Sequence, residues 1–272
     1  LSLLQSIILG VIQGLTEFLP ISSSAHLTLA PYWFGWQLPT QETFIFDVLV
    51  QVASLIAVIA YFFQDLLNIL RAWLQGLWKR KPFDEPLARR GWQLILATLP
   101  AGMIGLLFKE QVEAAFSNPQ LTASFLLVTA GFLFLVEKIG KKERSLETLQ
   151  WKDALFIGLA QAVAIFPGIS RSGATIAGGM ARDLERPAAT RFAFLMSVPI
   201  MLAAGLAASL DLLSLPNLLQ LLPVYLPGLL ASAIVSYVSI RWLMRYVAHR
   251  SLLIFSFYCA LVGLITLLTF WV

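Results

Sequence analysis

Apolar residues run along this chain in long blocks, and the blocks are separated by short polar or proline-bearing breaks. Six blocks, 44–64, 92–108, 121–137, 190–209, 223–243 and 251–271, approach the roughly 20 residues that a helix needs to cross a hydrocarbon core. Two further pairs of apolar segments are individually too short to cross. The first is 2–16 with 23–35, split by Pro20 and a run of serines; the second is 153–166 with 172–181, split by Pro167, Gly168 and further serines. The pattern predicts an all-α polytopic membrane protein, 1–272 forming a single membrane domain of six transmembrane helices plus two re-entrant helix hairpins.

Composition supports that class. Of 272 residues 58% are hydrophobic and only 12% are charged, whereas soluble domains carry about 25% charged residues. The mean hydropathy is +0.80. One cysteine, Cys259, excludes an intrachain disulfide and a cysteine-based metal cage. The first residues lack a basic region and a small-residue cleavage site, so no removable signal peptide is expected, and a start without Met suggests a trimmed or engineered beginning.

Charge then sets the expected topology. Of 19 Lys and Arg, six fall in 71–90, five in 138–152, three in 182–191 and three in 241–250, leaving only Lys109 and Arg171 outside these clusters. The clusters track the ends of apolar blocks, which is the positive-inside signature, so the net charge of +4 reads as topology and no nucleic-acid partner is expected. With 71–90 inside, 109–120 (Lys109, Glu110, Glu113) falls outside and 138–152 inside. Because 182–191 is again basic, the pair 153–181 must return to the side it left, as a re-entrant hairpin does. The pair at the start carries no positive charge and is expected to dip in from outside, leaving both termini outside.

A shift of 148 residues aligns Gly10 with Gly158, Gln13 with Gln161, Phe18 with Phe166, Ile21 with Ile169, Ser22 with Ser170 and Ser24 with Ser172. The chain thus reads as two repeats, 1–137 and 153–272, each a re-entrant hairpin plus three spans. Three crossings is an odd number, so the second copy must be inverted. Interrupted helices in inverted repeats place their sites where the breaks converge near the bilayer midplane.

The two breaks carry the chemistry. The first, Glu17-Phe-Leu-Pro-Ile-Ser-Ser-Ser-Ala-His26, follows Gln13, which shares a helical face with Glu17. Ser22 or Ser23 is suited to cap the next helix, and His26, three residues after Ser23, is spaced to reach its hydroxyl. The second, Pro167-Gly-Ile-Ser-Arg-Ser-Gly-Ala-Thr-Ile176, places Ser170 or Ser172 as a cap, with Arg171 projecting from it and Thr175 one turn on. A membrane-embedded Arg and a broken backbone are costly, so such a stretch marks a site. Helix-start N–H groups, hydroxyls and a guanidinium fork together bind phosphate. Glu17 with Gln13 offers oxygen ligands to a divalent cation such as Mg²⁺ or Ca²⁺, and His26 could serve as general acid or base. The expected roles are catalytic for Glu17, Ser23, His26 and Arg171; substrate-binding for Ser22, Ser170, Arg171, Ser172 and Thr175; metal-binding for Gln13 and Glu17. Attack by Ser23, by His26 or directly by water is compatible with the pattern. Gln161 reads as a structural partner, Asp47 and Glu137 as interfacial, and His249 as solvated. The rival class is a secondary transporter or lipid flippase, which would use the same midplane anion site for translocation.

Both motifs, Glu17 to His26 and Pro167 to Thr175, closely resemble the signature motifs of the bacterial undecaprenyl-diphosphate phosphatases, the bacitracin-resistance protein family. The resemblance extends to the Phe46–Gln51 and Arg191–Pro199 segments and runs the length of the chain. It implies hydrolysis of undecaprenyl diphosphate to the monophosphate and inorganic phosphate, recycling the lipid carrier of peptidoglycan synthesis and conferring bacitracin resistance. It further implies a divalent cation, a homodimer in the bacterial inner membrane, contact with membrane lipid, and a site open to the outer, periplasmic side. The acidic motif falls on Gln13 and Glu17, the serine and histidine on Ser23 and His26, and the second motif on Ser170, Arg171 and Thr175. Many relatives have Glu and Gly where this chain has Gln13 and Ala25. Gln13 removes one negative charge from the metal-binding pair, and Ala25 restricts the backbone beside Ser24.

Overall fold

The computed structural model describes residues 1–38, 40–108, 111–112, 115, 118–213 and 218–270, with the side chains of 40–42, 44, 207–213 and 218–220 excepted. Lys109, Glu110 and Glu113, expected on the outer side, lie outside the described residues. Eleven α-helices are described, with a 3-10 turn at Leu146–Thr148 and no strand among the described residues. They are α1 (Leu3–Thr16), α2 (Ser23–Trp33), α3 (Thr40–Tyr61), α4 (Phe63–Trp78), α5 (Pro86–Leu107) and α6 (Pro119–Ile139), followed by α7 (Trp151–Val163), α8 (Arg171–Ala181), α9 (Arg186–Leu213), α10 (Leu218–His249) and α11 (Leu253–Leu268).

Local chemistry sets the helix starts. Ser2 and Gln5 form a capping box on α1, with the Ser2 hydroxyl accepting from the Gln5 N–H at 3.2 Å and the Gln5 side chain accepting from the Ser2 N–H at 2.8 Å. Asn118 caps α6 by accepting from the Leu121 N–H at 2.9 Å, with Pro119 in the first turn where its missing N–H costs nothing.

Among the described residues three helices are long and apolar enough to cross a membrane: Pro119–Ile139, Arg186–Leu206 and Leu221–His249. The block predicted as one span over 44–64 is different. Its helix ends at Tyr61, and after Phe62 the chain turns by 79° into α4. Helix α4 is amphipathic: Ile69, Ala72 and Gly76 are buried while Phe63, Leu70, Leu74, Leu77 and Trp78 are exposed. The basic cluster 71–90, expected on the inside, overlaps the end of this helix, whose exposed side carries Arg71 and Gln75 one turn apart. Within 251–271 the helix is also shorter than predicted, covering the 16 residues of α11.

In the interior α3 and α9 pack together, with α10 against α3 and α5 against α9. Helix α1 lies on α10 and α7 lies on α5, while α6 pairs with α11. Two of these crossings are made by glycines that the repeat alignment equates. Gly10 is so close to Gly228 that an added methyl would overlap the Gly228 carbonyl, and a methyl on Gly158 would lie 2.6 Å from the Ala97 carbonyl oxygen. A core built on Phe18, Phe62, Phe192, Phe194 and Ile176 fills the centre, with Phe18 edge-on to Phe194 at 5.2 Å.

Three of the basic clusters, 71–90, 138–152 and 182–191, are joined by contacts. Arg144 and Arg182 both bind the buried Asp153 at 2.8 Å, and Arg186 and Lys142 bind Glu137 at 2.6 and 2.9 Å. The Leu252 N–H also donates to Glu137, at 2.7 Å. Arg90 donates to the Leu146 carbonyl at 2.5 Å, and Arg191 reaches Asp65 at 2.7 Å. Glu137, expected to be merely interfacial, is thus the buried hub of an ion-pair network joining α6, α9 and the start of α11.

Candidate functional site

Both predicted helix breaks are present, and their tips touch. Helix α1 ends at Glu17, the chain turns through Phe18 to Ile21, and α2 starts at Ser23. Ser22 supplies the cap: it adopts φ +70°, uncommon for a residue with a side chain, and its hydroxyl accepts from the Ala25 N–H at 3.3 Å. In the second break Gly168 takes φ +102° and lies so close to the Thr122 carbonyl that a side chain has no room. Ser170 caps α8, accepting from the Gly173 N–H at 3.0 Å. Thr129 on α6 locks this turn, donating to the Gly168 carbonyl at 2.9 Å and accepting from the Ser170 N–H at 3.0 Å.

Contacts between the tips define the site. Arg171, from the second break, is paired with the Glu17 carboxylate through Nη2 and Oε1. The other oxygen of Glu17, Oε2, accepts from the Ser23 hydroxyl at 2.6 Å and from the Gln13 amide at 2.9 Å. Ser172 donates to the Leu19 carbonyl at 2.9 Å, and the Gly168 N–H reaches the Ser24 hydroxyl at 3.4 Å. The Glu17 side chain is 3% exposed and the Arg171 side chain 26%, so the carboxylate is sealed while the guanidinium keeps an open edge.

That edge faces a cavity of about 490 Å³ lined by Glu17, Ser22, Ser23, Ser24, Ser170 and Arg171 at its polar end. Its remaining wall is mostly apolar, from Ala101 to Leu106 on α5, Ala164 and Ile165 after α7, and Ile200 to Ala204 on α9. Gln51 and Gln161 add polar groups. The shape suits an anionic head with an apolar continuation.

The structure redistributes some expected roles. His26 does not reach Ser23: its Nδ1 lies 2.8 Å from the Ser22 carbonyl oxygen and its Nε2 2.7 Å from the Tyr258 hydroxyl. A carbonyl only accepts, so Nδ1 carries the proton and Nε2 accepts from Tyr258. The group that holds the Ser23 hydroxyl is Glu17. Ser172 and Thr175 lie outside the cavity lining; the Thr175 hydroxyl donates back to the Arg171 and Ser172 carbonyls at 2.8 and 3.1 Å and braces the first turn of α8. Two contributors escaped the sequence reading. Tyr258 stands 232 residues from His26 in an ordinary apolar block, and Ser54, which accepts from Gln13 at 3.5 Å and binds Ser232 and Ser236, sits in a span with no local signal.

No group of three or more His, Cys, Asp or Glu side chains is gathered as a metal cage among the described residues. The oxygen donors nevertheless fit a hard cation that keeps several waters or substrate oxygens. Glu17 supplies charge, and Gln13 Oε1 and Gln161 Oε1 are both buried with no hydrogen-bond partner.

Helices long and apolar enough to cross a membrane, packed with two pairs of shorter helices whose polar breaks place a carboxylate, hydroxyls and a guanidinium on one cavity, define an integral membrane protein. Comparison with known families places it further. The profile of the family described as Bacitracin resistance protein BacA matches residues 6–265, and the chain belongs to that family. Among curated proteins it is 41% identical to an undecaprenyl-diphosphatase of Chlorobium luteolum, covering 98% of each chain. It is 39% identical to one of Moorella thermoacetica over 100% of this chain and 99% of that protein. A relative from Methanobrevibacter smithii with the same description is 38% identical over 97% of this chain and 96% of its own.

Proposed function

We propose that this protein is an integral membrane phosphatase that hydrolyses undecaprenyl diphosphate to undecaprenyl phosphate and inorganic phosphate, regenerating the lipid carrier for peptidoglycan synthesis and so conferring bacitracin resistance. The observation that carries the reading is the 2.6 Å hydrogen bond from the Ser23 hydroxyl to Glu17, with Arg171 on the same carboxylate. Translocation of an anion needs no hydroxyl held by a base, which weighs against a transporter or flippase.

In this reaction the diphosphate enters the polar end of the cavity and the prenyl chain follows the apolar wall into lipid. The guanidinium of Arg171 turns its open edge to the phosphate, joined by the Ser170 hydroxyl and the N–H groups at the starts of α2 and α8. Ser23 Oγ attacks the terminal phosphorus, its proton passing to Glu17 Oε2. The bond from phosphorus to the bridging oxygen breaks, and undecaprenyl phosphate leaves with that oxygen. Water then attacks the phosphoserine, giving inorganic phosphate and restoring the Ser23 hydroxyl. Glu17, Gln13 and Gln161 would hold a divalent cation, Mg²⁺ or Ca²⁺; such an ion offsets negative charge on the phosphates. Ser22 and Ser172 hold the two tips in register, and His26, fixed by Ser22 and Tyr258, braces the start of α2.

The reading includes an architecture. Six spans, two re-entrant hairpins and an inverted repeat dividing the chain into 1–137 and 153–272 are supported by the paired glycine crossings of α1 on α10 and α7 on α5. The contacts that join three of the basic clusters support a cytoplasmic placement for them, with the site open to the outer side of the bacterial inner membrane. The protein would work as a homodimer within the lipid.

The deciding experiment measures phosphate release from undecaprenyl diphosphate by purified protein in detergent, with and without chelator. Trapping of phosphoserine at Ser23, and chelator-sensitive release that Arg171→Ala abolishes, are the expected results. Binding of the lipid without release would overturn the enzyme and leave a translocator.

A further inference from the structure

A second cavity, of about 560 Å³, opens among the joined basic clusters and shares no lining residue with the site above. It lies between α4, the start of α5, the 3-10 turn and the start of α9. Its key group is Arg90. Nη2 of Arg90 donates to the Leu146 carbonyl at 2.5 Å, but Nη1 is buried and has no hydrogen-bond partner. A buried guanidinium N–H without an acceptor is costly, so this nitrogen is a place where an acceptor from elsewhere would be favoured.

Two features show what that acceptor is. Helix α5 begins at the cavity wall, at Pro86 and Leu87, and Glu85 at its cap position makes no side-chain cap, so the positive end of a 22-residue helix is open there. Arg89 and Arg191 also line the cavity. Three acidic groups share the wall, and none hydrogen-bonds Arg90: Asp65 is taken by Arg191 through both its oxygens at 2.7 Å, exposed Glu147 acts on Arg90 only through space, and Glu185 is exposed to solvent. The rest of the wall is apolar, including Ile69, Leu149, Leu195 and Met244. Alongside runs α4, whose Leu70, Leu74, Leu77 and Trp78 are exposed as on a helix lying in a membrane interface.

We infer that this cavity is a second anion site, which takes a phosphate-bearing group at the basic membrane face, held by Arg90, Arg89 and the start of α5. The apolar wall and the neighbouring amphipathic helix favour a phospholipid headgroup, and free phosphate shares the same recognition chemistry. The inference does not depend on the catalytic reading, since neither Arg171 nor Glu17 takes part.

Native mass spectrometry of the detergent-solubilised full chain tests it, with phosphatidic acid as probe, phosphatidylcholine as control and inorganic phosphate as competitor. We expect a phosphatidic acid adduct in the wild type and in Arg171→Gln, weakened at least fivefold in Arg90→Gln and severalfold in Arg89→Gln. Arg89 is exposed, so its variant keeps the test open if Arg90→Gln fails to fold. Competition by millimolar phosphate would identify headgroup phosphate alone as the ligand, and its absence would assign the site to intact lipid. Equal retention of phosphatidylcholine, insensitivity to both Arg90 and Arg89, or loss only in Arg171→Gln would overturn the proposal.

Discussion

Removing the arginine of the Glu17–Arg171 pair should separate stability from activity. In Arg171→Ala the carboxylate of Glu17, whose side chain is 3% exposed in the intact protein, keeps only Ser23 and Gln13 as donors. Breaking a fully buried ion pair from one side costs about 3–5 kcal/mol. Arg171 is 26% exposed and the truncation admits solvent, so a loss of about 2–3 kcal/mol is expected. Glu17→Gln leaves a cation with a solvent edge and should cost about 1 kcal/mol. The double variant Arg171→Ala/Glu17→Gln removes both charges, so its stability should lie about 1–2 kcal/mol above the sum of the single losses. Phosphate release should stay about 10³-fold or more below wild type in all three, because a restored fold supplies neither base nor phosphate fork. Unfolding in a denaturing detergent titration gives the stability cycle, and release from undecaprenyl diphosphate gives the activities. Additive stabilities would refute the pairing energetics. Activity within tenfold of wild type in Arg171→Ala would refute the site.

Ser23→Ala should fold normally, since Glu17 retains Arg171 and Gln13, yet lose about 10³-fold or more in phosphate release and all phosphoserine trapping; near-normal turnover would exclude Ser23 as nucleophile. Tyr258→Phe removes the hydroxyl that pairs with His26 Nε2 and should lower kcat severalfold with little change in KM, read together with a shifted His26 ¹⁵N resonance; an unmoved resonance would deny the contact. Gly158→Leu would push α7 off the Ala97 backbone, and should cost about 3 kcal/mol or prevent folding, while Gly131→Leu, where a methyl meets nothing within 4 Å, should be tolerated in the same expression and unfolding assays. Asp153, at the first turn of α7 among the basic loops, has its carboxyl held below the ordinary 3.8; burial pushes it up, but hydrogen bonds from Arg144, the Gln150 N–H and Arg182 outweigh that. A depressed folded value gives stability that is present above pH 3.8 and lost as pH falls through it. The stability gap between wild type and Asp153→Asn should therefore be constant from pH 7 to about 5 and close below about 4.

What sequence could and could not show follows from the range of each interaction. The breaks at Pro20 and Pro167-Gly168 were legible because Pro, Gly and Ser act on their own backbone, and Ser22 and Ser170 cap the helices that follow them. Arg171 was legible because a charge amid apolar helices has no cheap alternative. The partner of His26 was not. Spacing offered Ser23 one turn away, but the first turn of α2 sends the ring back to the Ser22 carbonyl and outward to Tyr258, 232 residues on. Helix α4 was hidden because it directly follows an apolar block that already accounts for one span, and Arg71 in its second half falls in a basic cluster. The bend after Tyr61 was hidden because the apolar block continues through it without a Pro or Gly.

The site also explains why two distant motifs must both be intact. Glu17 and Ser23 come from one hairpin and Arg171 from the other, so neither hairpin alone holds a satisfied charge. A carboxylate at that depth without its arginine is costly, and an arginine without its carboxylate must find water or an anion. Docking the two tips satisfies both, helped by Ser172 on the Leu19 carbonyl and Ser24 on the Gly168 N–H. Under the proposed mechanism Arg171 keeps one edge on Glu17 and turns the other to the phosphate, so the ion pair that completes the fold would also hold the substrate beside the Ser23 hydroxyl that Glu17 already binds.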